Sequence, residues 1–108
     1  MTRLFISVSA RRDIASALEH SARRWGLAQQ QRDQALVGSA LHDLRQDPVH
    51  PASRACDEIR LGVRAFHIAR PGQAGRHLVV YRLDPAGNVQ VIRLLHDATD
   101  LGRALGDD

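Results

Sequence analysis

The first quarter of the chain changes from a strand pattern to a helix pattern. Apolar residues alternate with other residues from Leu4 to Val8, which predicts a short strand with one apolar face. From about Ala10 to Trp25 the apolar residues recur every three or four positions, which predicts an amphipathic helix. Ser9 is placed to be the N-cap of this helix, Asp13 to add negative charge to its first turn, and Gly26 to end it.

A second helix is predicted from Leu27 to about Gln46. Its first half is polar, and its second half carries an apolar stripe that consists of Leu36, Val37, Ala40, Leu41 and Leu44. Asp47 and Pro48 end this helix. Because almost nothing separates the two helices, we expect them to form an antiparallel hairpin.

The second half of the chain has short apolar runs that turn-forming residues separate. Three strands are predicted, at Val63 to Ala69, His77 to Leu83 and Val89 to Leu95. Residues 84–88 have the composition of a tight hairpin turn. Residues 70–76 contain Pro and two Gly and form a longer hairpin loop.

The remaining segments complete the order of the elements. Residues 48–62 mix proline, glycine and charge and are interpreted as an irregular connection. A last short helix fits Thr99 to Leu105. The order β-α-α-β-β-β-α predicts an α+β fold in which the helices pack on one face of a mostly antiparallel sheet. The length predicts a single domain over residues 1–108.

The large rings and the one cysteine add little to this interpretation. Phe5, Trp25, Phe66 and Tyr81 are the large aromatic residues, and each is expected in or near the core. Cys56 stands alone, which excludes an internal disulfide and fits a reducing cytoplasm. The N-terminal residues lack the pattern of a signal peptide, and no stretch is apolar enough to cross a membrane.

The basic residues of the chain fit either an acidic partner or a solvated surface. The formal net charge is +3 with neutral histidines, and every basic residue is Arg. Arg pairs in a two-pronged way with carboxylates and phosphates. Charge alone does not decide between a protein, a nucleic acid and a merely solvated surface.

Several segments resemble the ParE branch of the RelE/ParE toxin superfamily. Residues 9–14 resemble the small-residue pair before the first helix of the family, and residues 24–26 its aromatic-Gly end. Residues 59–66 resemble "LRPGLRSF", residues 77–82 resemble "RHVIFYR", and residues 91–101 resemble "ILRVLHGRMDL". The chain departs from the family pattern in two places. The loop at residues 70–75 is longer, and Asp-Ala-Thr stands in place of Gly-Arg-Met after His96.

The resemblance implies a toxin that an antitoxin from the same operon, ParD-like in kind, holds inactive. Toxins of the ParE branch poison DNA gyrase and are not regarded as enzymes, so neither catalysis nor a cofactor is expected. The RelE branch instead cleaves mRNA on the ribosome. A family member that still binds its antitoxin but has lost toxicity is a third interpretation. In each case we expect a hetero-oligomer with the antitoxin and no direct DNA binding by this chain alone.

A ribonuclease site would need a general base, a general acid and cations that hold the phosphate. The candidates on or just after the predicted strands are Arg64, Tyr81, Arg82, Arg93 and His96. The RelE branch uses several Lys and Arg residues there, whereas this chain has no Lys. In addition, His96 has no evident acid–base partner at its end of the sheet.

Structural roles are the alternative for the same side chains. Tyr81 fits a core ring with its hydroxyl at the edge, and Arg82 and Arg93 fit pairs with carboxylates. His96 fits a structural hydrogen bond between a strand end and a helix start. The other histidines are scattered without the spacing of metal ligands, so no metal site is expected.

An antitoxin surface needs apolar anchors that the core leaves unused, beside a basic rim. The anchor candidates are Leu27, Leu36, Val37 and Leu61. The rim candidates are Arg23, Arg24, Arg32 and Arg60. A solvated helix face is the alternative for these charges. The residues that would contact gyrase cannot be assigned from the sequence.

Overall fold

The computed structural model describes residues 2–105. In this range the chain forms, in order, β1 (Leu4–Ile6), α1 (Val8–Trp25), α2 (Leu27–Gln46), β2 (Arg54–Ala55), β3 (Arg64–His67), β4 (His77–Leu83), β5 (Val89–His96) and α3 (Leu101–Leu105). The α+β fold class that was predicted from the sequence is therefore confirmed.

The strands form one sheet in the order β1-β5-β4-β3-β2. Strand β1 pairs in parallel with β5, whereas the other neighbours pair in antiparallel fashion. The register shifts by one residue between Val80 and Tyr81, which places a bulge in the β4–β5 ladder. None of the helices in the described range is long and apolar enough to span a membrane.

The start of α1 differs from the prediction. Ser7, not Ser9, is the N-cap, since its hydroxyl accepts the Ala10 N–H at 3.0 Å. The same hydroxyl donates to the Ile92 carbonyl of β5 at 2.7 Å. This link to β5 ends the strand at Ile6 and starts the helix two residues early, so Val8 lies in the helix and is 65% exposed. Asp13 consequently lies beyond the first turn.

The helix hairpin has the predicted bounds at its turn. Gly26 lies between α1 and α2 with a φ of 94°, and its N–H donates to the Ala22 carbonyl at 2.9 Å. A ψ of 172° completes a conformation that is accessible essentially to glycine alone. The glycine therefore ends one helix and reverses the chain into the next.

The main hydrophobic cluster lies between the helix hairpin and the sheet. Its buried members are Ala10, Leu36, Val37, Ala40, Leu44, Phe66, Ile68, Val79, Tyr81, Val89, Val91 and Leu94. Val79 and Tyr81 of β4 and Val89 and Val91 of β5 face this cluster with the two-residue period of a strand, and beyond the bulge the next β5 member is Leu94. The hairpin thus packs on the sheet as predicted.

A second cluster covers part of the opposite face. It contains Cys56, Val63, Ala65, Val80, Leu95, Leu101 and Leu105. The last two residues belong to α3, so the prediction that all helices pack on one face is wrong for this short helix. The prediction of an irregular connection is wrong at Arg54–Ala55, which pair with β3. The C-terminal helix starts at Leu101 rather than at Thr99.

The aromatic residues divide into two buried and two exposed rings. Phe66 and Tyr81 are buried, which confirms the prediction for these two. Phe5 is 49% and Trp25 is 66% exposed, so the prediction is wrong for both. Phe5 lies on the edge strand and Trp25 at the last position of α1, where in each case the core covers only one side.

Candidate functional site

Tyr81 and Arg64 form a structural link between the sheet and the segment after α2. The Tyr81 side chain is fully buried, and its hydroxyl donates to the Pro48 carbonyl at 2.7 Å. Arg64 donates from Nε to this hydroxyl at 3.3 Å and from Nη2 to the Ser53 hydroxyl at 2.8 Å. The interpretation of Tyr81 as a core ring is therefore confirmed.

Arg93 pairs with a carboxylate from α1. Its Nε donates to Asp13 Oδ2 at 2.7 Å and its Nη2 to Oδ1 at 3.1 Å. The Leu94 N–H donates to the same Oδ2 at 3.0 Å. Because β1 ends at Ile6, this stretch of β5 has no strand on that side, and Asp13 supplies the missing acceptor. The predicted carboxylate pair of Arg93 is confirmed, and it fixes α1 against β5.

Arg82 lies on the face of the sheet that points away from the helix hairpin, because it follows Tyr81, whose side chain belongs to the main cluster. Its Nε donates to Gln90 Oε1 at 3.1 Å, so its partner is an amide rather than the predicted carboxylate. It lines a shallow cleft of about 310 Å³ together with Phe5, Arg60 and Ile92. Arg64, Arg82 and Arg93 are therefore committed to three separate sets of contacts.

His96 has a neighbour that the sequence analysis missed. His77 is its direct partner across β4 and β5, and the two ring centroids are 5.6 Å apart. The β4–β5 turn alone would place Leu95 opposite His77, and the bulge moves His96 into that position. The predicted structural hydrogen bond of His96 is present, since Nδ1 accepts the Ala98 N–H at 3.0 Å.

Asp97 gathers further basic groups at this end of the sheet. His67 accepts the Ala69 N–H at Nδ1, so its Nε2 carries the proton and donates to Asp97 Oδ2 at 3.1 Å. Arg76 Nε lies 3.5 Å from Asp97 Oδ1. The hydrogen bond from His67 is the main reason why the pKa of Asp97 lies below its ordinary value. The pKa of His77 is also lowered, mainly by burial and to a smaller extent by the charge of His96.

A cleft of about 420 Å³ opens between the end of the helix hairpin and the loop that joins β3 to β4. We call it the hairpin cleft, and its basic and aromatic lining consists of His20, Arg24, Trp25, Arg76, His77 and His96. Ala17, Ile68 and Ala74 contribute apolar lining. Arg70 pairs with Asp43 of α2 and so ties the loop to the hairpin.

The one carboxylate on the lining of the hairpin cleft is satisfied within the hairpin. Asp33 Oδ2 accepts the Ser21 hydroxyl at 2.6 Å, and Oδ1 accepts from Gln29 Nε2 at 2.8 Å. The Arg24 guanidinium lies 5.2 Å from the centroid of the exposed Trp25 ring, in cation–π geometry. The rim of the cleft is therefore cationic and aromatic.

The residues that the sequence proposed for antitoxin binding fall into separate places. Arg24 lines the hairpin cleft, and Leu27 is 69% exposed at the start of α2. Arg32 lines an adjoining cleft of about 330 Å³ with Gln73. Arg23 forms an exposed ion pair with Glu19 at 3.3 Å. These residues lie along the end of the helix hairpin.

The other proposed residues lie elsewhere. Leu36 and Val37 are 4% and 6% exposed, so the expectation that the core leaves them unused is wrong. Their side chains belong to the main cluster. Leu61 is 87% exposed in the segment before β3, and Arg60 lines the cleft on the far face of the sheet. Within residues 2–105, no group of three or more His, Cys, Asp or Glu could hold a metal ion.

Known proteins resemble this chain over most of its length. The family described as the ParE toxin of the type II toxin–antitoxin system parDE matches residues 4–101. Toxin ParE1 of Mycobacterium tuberculosis, in two strains, is 30% identical over 105 residues, which are 96% of this chain and 98% of the relative.

Two solved structures have a similar fold. A chain of the chromosomal ParDE system from P. aeruginosa superposes with a TM-score of 0.74 at 18% identity, over 89% of this chain and 96% of that chain. A chain of the toxin–antitoxin complex RelBE2 from Mycobacterium tuberculosis superposes with a TM-score of 0.59 at 21% identity, over 88% and 96% of the two chains. The family match and the identity to Toxin ParE1 together show that this chain belongs to the ParE family of toxins from type II toxin–antitoxin systems.

Proposed function

We propose that this toxin acts in the cytoplasm by binding and inhibiting DNA gyrase, without catalysing a reaction, and that a ParD-like antitoxin from the same operon neutralises it. The observation that carries the non-catalytic part is that the candidate arginines and Tyr81 are engaged in structural contacts. Arg64 holds the Tyr81 hydroxyl, Arg93 holds Asp13, and Arg82 lies on the far face with Gln90.

Phosphodiester cleavage would need these groups to meet at one substrate. A general base must lie within hydrogen-bond reach of the 2′-OH, and cations must surround the same phosphate. Here the Tyr81 hydroxyl is buried and already donates to a backbone carbonyl. Arg93 forms a two-pronged pair with Asp13 that positions a helix. These side chains are used for structure, which favours action by binding.

Exposed apolar and basic side chains at the end of the helix hairpin support an antitoxin partner. Trp25 and Leu27 are 66% and 69% exposed, next to Arg23 and Arg24. An acidic antitoxin segment would match these arginines in charge and cover the apolar side chains. We further propose that the two chains form a hetero-oligomer and that this chain alone does not contact operator DNA.

A supercoiling assay with purified gyrase tests the proposal. We expect the toxin to inhibit supercoiling or trap cleaved DNA, and an equimolar amount of antitoxin to restore activity. Topoisomerase I, assayed with the same plasmid and toxin, should be unaffected. Normal supercoiling at micromolar amounts of folded toxin would exclude gyrase as the target.

A RelE-like, ribosome-dependent mRNA endoribonuclease is the alternative. The observation in its favour is His77, which lies opposite His96 and could complete an acid–base pair. Incubation with translating ribosomes, followed by primer extension, would reveal cleaved mRNA. Cleavage that is lost in both His77→Ala and His96→Ala would replace the gyrase proposal.

A further inference from the structure

We propose that the hairpin cleft is the docking site for an acidic segment of the antitoxin, which inserts one apolar side chain and places carboxylates on Arg24 and Arg76. This inference rests on the proposed function, because it assumes that an antitoxin binds the toxin. It adds the surface, the chemistry of the segment and the residues that hold it.

The shape of the cleft suits one large apolar side chain. Ile68 is buried and forms part of the floor, and Trp25 forms an exposed wall. Gly75 lies close above this floor, since a Cβ atom there would be 2.8 Å from Ile68 Cγ1. A volume of about 420 Å³ is large enough for a side chain, and the floor offers it apolar contact.

The charge of the cleft selects carboxylates. Arg24 stacks on Trp25 at the rim, where its guanidinium stays accessible. The Arg76 side chain contacts Asp97 through Nε and is 70% exposed, so most of this side chain is accessible to a ligand. Asp33 is the carboxylate on the lining, and hydrogen bonds from Ser21 and Gln29 already satisfy it. A guanidinium binds a carboxylate through two parallel hydrogen bonds.

The same features favour a protein segment over a nucleic acid. Ala17, Ile68 and Ala74 give the interior of the cleft apolar character, which a run of phosphates would not use. Asp33 would also repel a phosphate that entered deeply. An amphipathic peptide satisfies both parts of the lining, with its apolar side chain inside and its carboxylates at the rim.

Trp25 provides a direct probe, because it is the only tryptophan in the sequence. Its ring is 66% exposed, so burial under a bound segment should shift its emission to shorter wavelength. We would titrate the full-length toxin with its operon antitoxin, in which any tryptophan is replaced by phenylalanine. Overlapping peptides from the antitoxin would then locate the segment that causes the shift.

Three variants distinguish antitoxin binding at this cleft from a general effect of the positive charge of the toxin. Arg24→Glu reverses a rim charge of the cleft, and Arg103→Glu makes the same change on α3, which packs on the far face of the sheet. We expect Arg24→Glu to weaken antitoxin binding by at least about tenfold and Arg103→Glu by less than about twofold. Trp25→Ala, measured by calorimetry, should also weaken binding by about tenfold. Far-UV circular dichroism and thermal melting would verify that each variant is folded.

Two outcomes would contradict the proposed docking site without contradicting the proposed function of the toxin. One is unchanged affinity of folded Arg24→Glu and Trp25→Ala for the antitoxin. The other is that a 20-nucleotide single-stranded oligonucleotide shifts the Trp25 emission as much as the antitoxin does, and that Arg24→Glu abolishes this shift. That result would show that the cleft binds nucleic acid. A wild-type toxin that does not bind the antitoxin at all would refute the proposed pairing itself. The gyrase assay reports on the target separately.

Discussion

At the scale of single residues, Asp13 links α1 to the edge of β5. Its carboxylate accepts from Arg93 and from the Leu94 N–H, and its side chain is 18% exposed. Removing it leaves a partly buried guanidinium and a backbone donor without this acceptor. We expect Asp13→Ala to lower the free energy of unfolding by about 1–3 kcal/mol.

Urea denaturation would measure this loss. Glu19→Ala is the matched control, because the Glu19–Arg23 pair is also an Asp/Glu–Arg pair of α1 but is 66% and 74% exposed. Exposed pairs contribute about 0–1 kcal/mol, so this variant should stay close to the wild type. Equal losses in the two variants would show that Asp13 does not fix α1 to the sheet.

His77 should make stability depend on pH. Burial, followed by the charge of His96, lowers its pKa below the ordinary 6.5, while Asp33 and Asp97 act in the opposite direction. The folded state therefore favours the neutral ring, and protons bind preferentially to the unfolded chain as the pH falls below 6.5. The stability that depends on a neutral His77 is therefore fully present above pH 6.5 and is lost as the pH falls through the lowered pKa of the folded state.

Urea midpoints at about pH 7.5, 6.5 and 5.5 would test this dependence. The wild type should lose stability across the range, and His77→Gln should lose less. His42→Gln changes an exposed histidine of α2 and should behave like the wild type. A fall in stability that is as steep in His77→Gln as in the wild type would assign the dependence to other groups.

At the scale of elements, Gly26 controls the helix hairpin. Its φ of 94° and ψ of 172° are strained for any residue with a Cβ, although a Cβ there would meet no atom within 4 Å. We expect Gly26→Ala to destabilise the fold by about 1–3 kcal/mol through the backbone alone. Gly38 lies inside α2 with equal space around it, and Gly38→Ala should stabilise the protein by about 0.4–1 kcal/mol.

In thermal or urea unfolding, Gly26→Ala should be less stable than the wild type and Gly38→Ala more stable. A neutral Gly26→Ala would mean that the turn can adopt another conformation. Since the same substitution is made in both variants, a general effect of adding a methyl group cannot produce that difference.

The elements also show what the sequence could predict. The bounds of the hairpin turn followed from Gly26, and those of β4 from a short apolar run between two loops that contain Pro and Gly; both are confirmed. The cap at Ser7 could not be distinguished from Ser9, because the choice depends on a hydrogen bond to β5, 85 residues away. The pairing of His77 with His96 depends on a bulge, and no residue in the sequence identifies where a ladder will shift by one.

The candidate site was predicted only in part for a related reason. The basic residues near the end of α1 were identified from composition and position, and Arg24 lines the hairpin cleft. The other wall of the cleft comes from Arg76 and Gly75, in a loop that sequence periodicity does not place against a helix. Trp25 was expected in or near the core, because its position in the helical pattern does not reveal that its ring lies exposed beside the hairpin cleft.

At the scale of the whole molecule, the net charge and the local docking site make different contributions to antitoxin binding. A net charge of +3 attracts an acidic partner from any direction and acts mainly on the association rate. Each Arg→Glu substitution replaces one positive charge with one negative charge, so it changes the net charge from +3 to +1. Arg24→Glu and Arg103→Glu are therefore identical in overall charge.

Stopped-flow association and dissociation with the antitoxin can separate the two contributions. Both variants should associate somewhat more slowly than the wild type, by less than about twofold, and added salt should reduce this difference. The dissociation rate should rise by about tenfold in Arg24→Glu alone, because only that residue would hold a carboxylate of the bound segment. If the two variants dissociate at the same rate, the arginines act through their summed field, and the antitoxin is held at another surface.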